Sequence, residues 1–222
     1  MSRADGAEKA LALGGKIAGG VMGQLLDAGI NGVGKLPGAK SAAAKAFGKH
    51  QDTERAISSL VTTHVSLASA QGFVTNLGGI LAAAVGIPAN VAAIAVIQIR
   101  LVAAIAHLRG YDIDSPRVRT AMSVCLLGQD GVNRLIRRGD IPSTPLAIAT
   151  APVHDATLAL QINERVLGEL FGNLGGRRAA VMFARRVPLL GGGVAGTMDG
   201  WSTKSLANYA REQFPRRRPI TR

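Results

Sequence analysis

The sequence predicts an all-α protein, folded as a compact bundle of several helices. Of its 222 residues 47% are hydrophobic but only 4% are aromatic, so the apolar residues are mainly Ala, Val, Leu and Ile. Alanine and leucine favour helices, whereas sheets are enriched in β-branched and aromatic residues. No stretch alternates apolar and polar residues as a half-buried strand would. A chain of this length can bury a core of its own, so we expect one main domain.

Residues 1–50 are predicted to form a basic, Gly/Ala/Lys-rich helical extension ahead of that domain. They hold six of the seven lysines of the chain, and their apolar residues recur at roughly helical spacing. A Lys-bearing amphipathic segment is typical of a membrane-surface binder, and a helix docked on the protein body would show the same pattern. The candidate membrane or partner contacts here are Lys35, Lys40, Lys45 and Lys49.

Two rows of glycines, each spaced four residues apart, predict close helix packing. Such a row lies on one helix face, where the missing side chains let two backbones approach. The rows are Gly15, Gly19 and Gly23 near the N-terminus, and Gly192, Gly196 and Gly200 near the C-terminus. The contacts could form within the chain or between subunits, so a homodimer is one expectation.

The main domain, 51–214, is predicted to begin with a helix capped by Asp52. His64 falls on the apolar face of this helix, and no carboxylate lies three or four residues from it. We therefore expect a hydrogen-bonded core histidine rather than a metal ligand.

A central apolar hairpin is predicted over 77–109. Residues 56–99 contain no charged residue, and 77–99 is apolar enough to enter a bilayer. Pro88 interrupts the segment, which then divides into a short piece, 77–86, and a longer helix from about 89 to 109. The hairpin could be buried in protein or lie at a membrane interface. Its candidate membrane or partner contacts are Ile80, Leu81, Val85, Ile87 and Pro88.

Two ionisable residues, Arg100 and His107, lie seven residues apart on one face of the longer helix. Gly110 is expected to end that helix in the left-handed conformation. Because buried charges need polar partners, we expect an ion pair with the nearby Asp112 or Asp114.

The later helices are delimited by caps, prolines and glycines. Cys125, the only cysteine, lies in an apolar run and is predicted to be a packed core thiol, which fits a reducing compartment. The predicted elements are a helix from Pro116 to Gly128, a short basic helix capped by Asp130 and ended by Gly139, a proline-punctuated loop over 141–152, a helix over about 153–173 with the stripe Leu160, Val166, Leu167, Leu170 and Phe171, a basic helix over 177–186, a last helix from Pro188, and a solvated basic tail over 215–222.

Two blocks of the chain resemble the EcsC protein family. The first is GFVTNLGGILAAAVGIPANVAAIAVIQIRLVAAIAHLRGYDID, residues 72–114, with the motif IA…GYD; the second is VPLLGGGVAGTMDGWSTKSLANYAREQF, residues 187–214. In the second block the matching positions are Pro188, Gly191, Gly196, Asp199, Ala210 and Phe214. The family is linked with the bacterial membrane, with an ABC-transporter operon and with secretion, and has no established reaction. The resemblance implies that Gly110, Tyr111 and Asp112 are the first positions to examine, followed by Asp199.

The resulting hypothesis is a membrane-associated, non-catalytic accessory or lipid-binding protein. The net charge of +12 suits an anionic partner, so we expect anionic membrane lipids or a membrane transporter, and no cofactor. The N-terminal MSRADGAEK lacks a signal peptide, which predicts a cytoplasmic protein, peripheral at the inner face of the bacterial membrane.

Two alternatives stay open. A hydrolase or metal-dependent enzyme could use His107, Asp112 and His154, although no HExxH, GxSxG or P-loop motif is present. A nucleic-acid-binding protein could use the arginine pairs 137–138, 177–178 and 185–186, but these lack interleaved aromatic residues.

Overall fold

Nine helices and one short hairpin make up the regular structure of residues 20–69, 89–171 and 194–217, the part of the chain described by this computed structural model. Side chains are described throughout these ranges except at 69, 89–90, 171 and 194–201. The prediction of an all-α bundle is confirmed.

The elements follow the chain in this order. They are helix α1 (20–31), strands β1 (Gly32–Val33) and β2 (Leu36–Pro37), and helices α2 (Ala39–His50), α3 (Thr53–Ser69), α4 (Ala89–Leu108), α5 (Pro116–Cys125), α6 (Gly128–Arg138), α7 (Pro145–Thr150), α8 (Ala156–Phe171) and α9 (Val194–Gln213). The two strands pair antiparallel, with Gly32 opposite Pro37 and Val33 opposite Leu36.

Helix α4 is the central helix of the described bundle, as expected for the longer arm of the apolar hairpin. Helices α2, α3, α5 and α9 pack around it, and every residue from 101 to 106 is buried. By length and composition Val91–Leu108 could cross a membrane, but 67% of that stretch is buried inside the protein. A helix that is mostly buried is apolar over most of its surface, so a position in the core accounts for this composition. The bend residues Ile80, Leu81, Val85, Ile87 and Pro88 lie outside the described residues.

Residues 20–50 contribute to the same core as the rest of the described chain. Met22, Leu25 and Ile30 of α1 are buried in one cluster with Leu101 and Ile105 of α4. Helix α1 and the hairpin therefore pack against α4, although the sequence placed them in an extension.

The contact between α1 and α4 is made at a glycine other than the predicted one. A Cβ added at Gly29 would lie 2.4 Å from Ile99 Cγ2, whereas one added at Gly23 would meet none of the described residues within 4 Å. Gly23 lies about 120° around the helix from Gly29, so it does not share in this contact. Gly15, Gly19 and Gly192 lie outside the described residues, and Gly196 and Gly200 fall in the part of α9 whose packing is not described.

Several predicted helix boundaries are confirmed and others are corrected. The Asp52 carboxylate caps α3 by accepting a hydrogen bond from Arg55 N at 2.8 Å. Asp130 lies in the first turn of α6 instead of capping it, since that helix begins at Gly128. The predicted loop 141–152 contains α7, because Pro145 tolerates a first helical position and Thr144 caps the helix. Leu160, expected in the apolar stripe of α8, is 47% exposed.

Candidate functional site

Helix α2 presents a basic face to solvent because its other face is made of alanines. Ala39, Ala42, Ala43 and Ala46 are buried, and these small side chains pack against α3 and α4. Residues at three- and four-residue spacing share a helix face, so the lysines between the alanines point outwards. Lys40, Lys45 and Lys49 are accordingly exposed.

Three lysines of this region have no carboxylate or hydrogen-bond partner among the described residues. They are Lys45 and Lys49 on α2 and Lys35 in the turn between β1 and β2, all exposed. The fourth, Lys40, pairs with Asp114. Residues 28–51 contain no Asp or Glu, so nothing in this segment neutralises the charge. We call Lys35, Lys45, Lys49 and Phe47 the lysine face.

Phe47 adds an apolar group to this charged surface. Its side chain is 39% exposed, and it lies in sequence between Lys45 and Lys49. Phe47 is one of four large apolar side chains that are exposed in the described chain. The other three, Val153, Leu158 and Leu160, lie on or next to α8. Helices that expose both lysines and large apolar side chains are typical of a membrane interface.

A buried arginine anchors the hairpin that precedes α2. Arg100 of α4 is 6% exposed, and its Nε donates to the Pro37 carbonyl at 2.7 Å. Its Nη1 lies 2.8 Å from His64 Nε2, and His64 Nδ1 lies 2.7 Å from the Leu60 carbonyl. Because arginine can only donate, His64 Nε2 is the acceptor and Nδ1 carries the proton that bonds Leu60. These hydrogen bonds join the hairpin to α3 and α4, and they hold in place the hairpin whose turn carries Lys35.

The electrostatics of this cluster keep His64 neutral. Burial, followed by the neighbouring charge of Arg100, lowers the pKa of His64 from 6.5 to about 4. Burial also lowers the pKa of Arg100. His64 is thus a hydrogen-bonded core histidine, as the sequence predicted.

The expected ion pair of Arg100 with Asp112 or Asp114 is wrong. Among the described residues Arg100 bonds only His64 and Pro37, and His107 is exposed. Arg100 and His107 lie seven residues apart, which is about 10 Å along the helix axis. Two side chains on one face of a helix can therefore differ in how deeply they are buried. Arg100 lies within the core, and His107 lies where α4 leaves it.

The motif Gly110-Tyr111-Asp112 forms a helix-ending corner. Gly110 has φ +86°, and the amide groups of Gly110 and Tyr111 donate to the carbonyls of His107 and Ala106, the pattern of a Schellman motif. The Asp112 carboxylate is exposed and accepts a hydrogen bond from Asp114 N at 3.1 Å. These bonds give the motif a clear structural role.

The C-terminal end of α9 packs against this corner. Tyr111 is 3% exposed and packs edge-on against Phe214, with ring centroids 5.2 Å apart and an interplanar angle of 86°. The Arg217 guanidinium lies 5.2 Å from the Tyr111 ring centroid, and Arg217 N donates to the Arg109 carbonyl at 3.0 Å. The described start of the C-terminal tail therefore packs on the corner, although we expected a fully solvated tail.

Arg109 joins three helices at the same corner, a role that the sequence did not indicate. Its Nη2 lies 2.7 Å from Glu54 Oε1 of α3. Its Nη1 donates to the carbonyls of Arg211 and Phe214 at 3.3 and 3.4 Å, at the C-terminal end of α9. A cation at a helix C-terminus satisfies free carbonyls and the helix dipole. In the sequence, the only indication of this role is that an arginine directly precedes Gly110, the residue predicted to end the helix.

The residues proposed for an enzyme site are not assembled in the described structure. Residues 20–69, 89–171 and 194–217 contain no group of three His, Cys, Asp or Glu side chains that could hold a metal ion. His154 lines a cleft with Asp114 rather than with His107 or Asp112. Cys125 is fully buried, and burial raises the pKa of its thiol, so it is a packed core residue as predicted.

Five of the twelve described arginines lie within 4.0 Å of a carboxylate: Arg109, Arg119, Arg134, Arg138 and Arg165. Arg134 and Arg138 hold Glu169 at 3.0 and 2.8 Å, and Arg138 also contacts Asp140 at 2.7 Å. Arg137 is exposed and takes no part in this network. The pairs 177–178 and 185–186 lie outside the described residues, and so does the side chain of Asp199.

Comparison with protein-family models, with curated proteins and with solved structures finds no match to this chain.

Proposed function

We propose that this protein is a non-catalytic, membrane-associated protein that binds anionic lipid head groups through the lysine face. It would act from the cytoplasm, as a peripheral protein at the inner face of a bacterial membrane, in line with the resemblance to the EcsC family. The observation that carries the proposal is the unpaired charge of the exposed Lys35, Lys45 and Lys49, on a segment that also exposes Phe47. Peripheral binding also agrees with the burial of α4 within the protein.

The expected affinity follows from the charges. Each lysine near an anionic membrane contributes about 1 kcal/mol, so three lysines contribute about 3 kcal/mol, or roughly 100-fold in affinity. Insertion of Phe47 among the head groups adds an apolar contribution that salt does not screen. The charge contribution should weaken strongly between 0.1 M and 1 M salt, where the screening length falls from about 10 Å to about 3 Å.

The test is co-sedimentation of the full chain with vesicles of phosphatidylcholine, with and without phosphatidylglycerol. We expect binding only to the vesicles that contain phosphatidylglycerol, and loss of that binding in 1 M salt. The variant Lys35→Glu/Lys45→Glu/Lys49→Glu should bind about 100-fold more weakly or worse. The matched control is Arg137→Glu/Arg165→Glu/Lys204→Glu, which makes the same charge change at exposed positions on α6, α8 and α9.

Three results would contradict the proposal. One is a wild-type protein that stays in the supernatant with phosphatidylglycerol vesicles at low salt. Another is an equal loss of binding in the two triple variants, because net charge alone would then account for it. The third is salt-sensitive retention on DNA without lipid binding, which would favour the nucleic-acid alternative.

A further inference from the structure

Two neighbouring cavities form a groove between α1, α5 and α8. The larger has a volume of about 560 Å³ and lies between Gly23 and Leu26 of α1, the start of α5, and α8. The smaller, of about 220 Å³, lies between α5, α7 and α8. Both are lined by Thr120, His154 and Ala159, so they adjoin. The larger volume is in the range of ligand sites in proteins.

The groove is bordered by apolar side chains that the fold leaves in water. Val153 is 77% exposed, Leu158 40% and Leu160 47%, and all three line one of the two cavities. These are three of the four large hydrophobic residues exposed in the described chain. Covering apolar surface gains about 25 cal/mol per Å², so a clustered exposed rim indicates a surface that binds an apolar partner.

A glycine keeps the larger cavity open. Gly23 lies inside α1, where glycine costs about 1 kcal/mol relative to alanine, yet a Cβ there would meet no atom of the described residues within 4 Å. Within the described part of the chain no close backbone contact explains this glycine, and it forms part of the wall of the cavity. A larger side chain at position 23 would project into the groove.

One cation in the groove is available to an anion. Arg119 is bound to Asp27 and Lys40 to Asp114, so these charges are compensated. Arg117, half-buried in the wall of the smaller cavity, donates Nη1 to the Ala151 carbonyl at 2.6 Å. It has no carboxylate partner among the described residues, and a guanidinium carries five N–H donors suited to a phosphate.

We infer that this groove holds one acyl chain of an anionic phospholipid, with the lipid phosphate at Arg117 and the chain along Leu158 and Leu160. Asp155 also lines the smaller cavity, but its carboxylate accepts hydrogen bonds from Thr157 N and Leu158 N at 2.8 and 3.0 Å. A groove with an apolar rim and a cation that has no carboxylate partner matches an amphipathic anion better than a wholly polar or wholly apolar ligand. The groove also adjoins the membrane-binding helix, because Lys40 of α2 pairs with Asp114 in the wall of the larger cavity. The inference rests on the proposed function for the source of the lipid.

The experiment measures binding of a single-chain lipid without a membrane. The full chain is titrated with lysophosphatidylglycerol below its critical micelle concentration, by isothermal titration calorimetry. We expect one site in the wild type and at least 10-fold weaker binding in Gly23→Leu, which fills the cavity. The matched control, Gly168→Leu, adds the same side chain at an open, exposed glycine of α8 outside the groove and should bind like the wild type. Arg117→Gln should weaken binding of lysophosphatidylglycerol about 10-fold but leave binding of a monoacylglycerol with the same chain unchanged.

Lack of saturable binding of lysophosphatidylglycerol by the wild type would overturn the inference, and so would equal affinity in Gly23→Leu. Circular dichroism checks that each variant is folded, and Leu160→Gln, at an exposed position, serves as a second groove variant with the same expected loss. Sedimentation with phosphatidylglycerol vesicles is measured on the same variants and should be unchanged. Vesicle binding without lysolipid binding therefore rejects the groove alone, whereas loss of vesicle binding in the wild type rejects the proposed function.

Discussion

The corner that ends α4 and the lysine face use their basic residues in opposite ways. At the corner, Arg109 bonds a carboxylate and two carbonyls, and Arg217 stacks on the buried ring of Tyr111. At the lysine face, three lysines have no partner among the described residues. We call the corner the closed region, because its charged groups are paired and its side chains are packed. We call the lysine face and the groove the open region, because their side chains are exposed to solvent.

This difference shows where function is to be sought in the molecule. Gly110 and Tyr111, the first positions singled out in the sequence, are engaged in ending a helix and packing the core. The three lysines without a partner among the described residues lie instead in the exposed surface of residues 20–50. Substitutions in the closed region should therefore cost stability, and substitutions in the open region should change binding.

The largest effect is expected from Tyr111→Ala. Loss of the buried ring that packs on Phe214 and Arg217 should lower the free energy of unfolding by about 3 to 5 kcal/mol. Urea unfolding followed by circular dichroism measures this. Asp112→Asn, at the exposed neighbour, should change stability by no more than about 0.5 kcal/mol. Unchanged stability of Tyr111→Ala together with lost vesicle binding would make the corner a functional site.

The next effect is a loss of stability in acid caused by His64. Its pKa is about 4 in the folded protein and 6.5 when unfolded, so the unfolded chain binds the proton first as the pH falls. The stabilisation is fully present above pH 6.5, is lost as the pH falls from 6.5 to about 4, and amounts to roughly 3 kcal/mol.

Denaturant unfolding between pH 7.5 and pH 4 measures this loss, with His64→Gln as the control. Glutamine can accept from Arg100 and donate to Leu60 but does not titrate. The variant should therefore lose about 3 kcal/mol less than the wild type over the same range. Identical pH dependence in the two proteins would show that His64 is not held neutral.

The smallest effects distinguish Gly23 from Gly29, both within α1. Gly29→Ala should destabilise the protein by about 1 to 3 kcal/mol, because its Cβ would overlap Ile99. Gly23→Ala should stabilise it by about 0.5 to 1 kcal/mol, because alanine favours the helix and space is free. Thermal unfolding of both variants gives the two signs, and a destabilising Gly23→Ala would mean that the groove is not open.

The helical fold and most helix positions could be predicted from the sequence, but the partners of the charged residues could not. Composition and caps such as Asp52 are local signals, and they placed α3 and α4 well. The contact of Arg100 with His64 and Pro37 joins positions 36 and 63 residues apart, and the Glu54 partner of Arg109 lies on another helix. Such contacts depend on how helices pack, which spacing along one helix does not contain.

The candidate site was predictable only in part, for the same reason. The lysines of residues 35–49 were recognisable from composition, and the structure adds which of them is paired. The groove was not predictable, since it needs α1, α5 and α8 side by side. The sequence shows Gly23 as one of three glycines spaced four residues apart. Its place in the wall of the cavity depends on which side of α1 faces α4, and the spacing does not contain that information.

The most direct test of the central claim is to place a polarity-sensitive fluorophore on the lysine face itself. Cys125 is fully buried and burial raises its thiol pKa, so a cysteine introduced as Phe47→Cys can be labelled selectively. On vesicles that contain phosphatidylglycerol, a nitrobenzoxadiazole label at position 47 should shift to the blue and be quenched by nitroxide-labelled lipids. The same label at Gly168→Cys should do neither. A protein that sediments with the vesicles while the label at position 47 stays in water, or while both labels shift equally, would contradict binding through the lysine face.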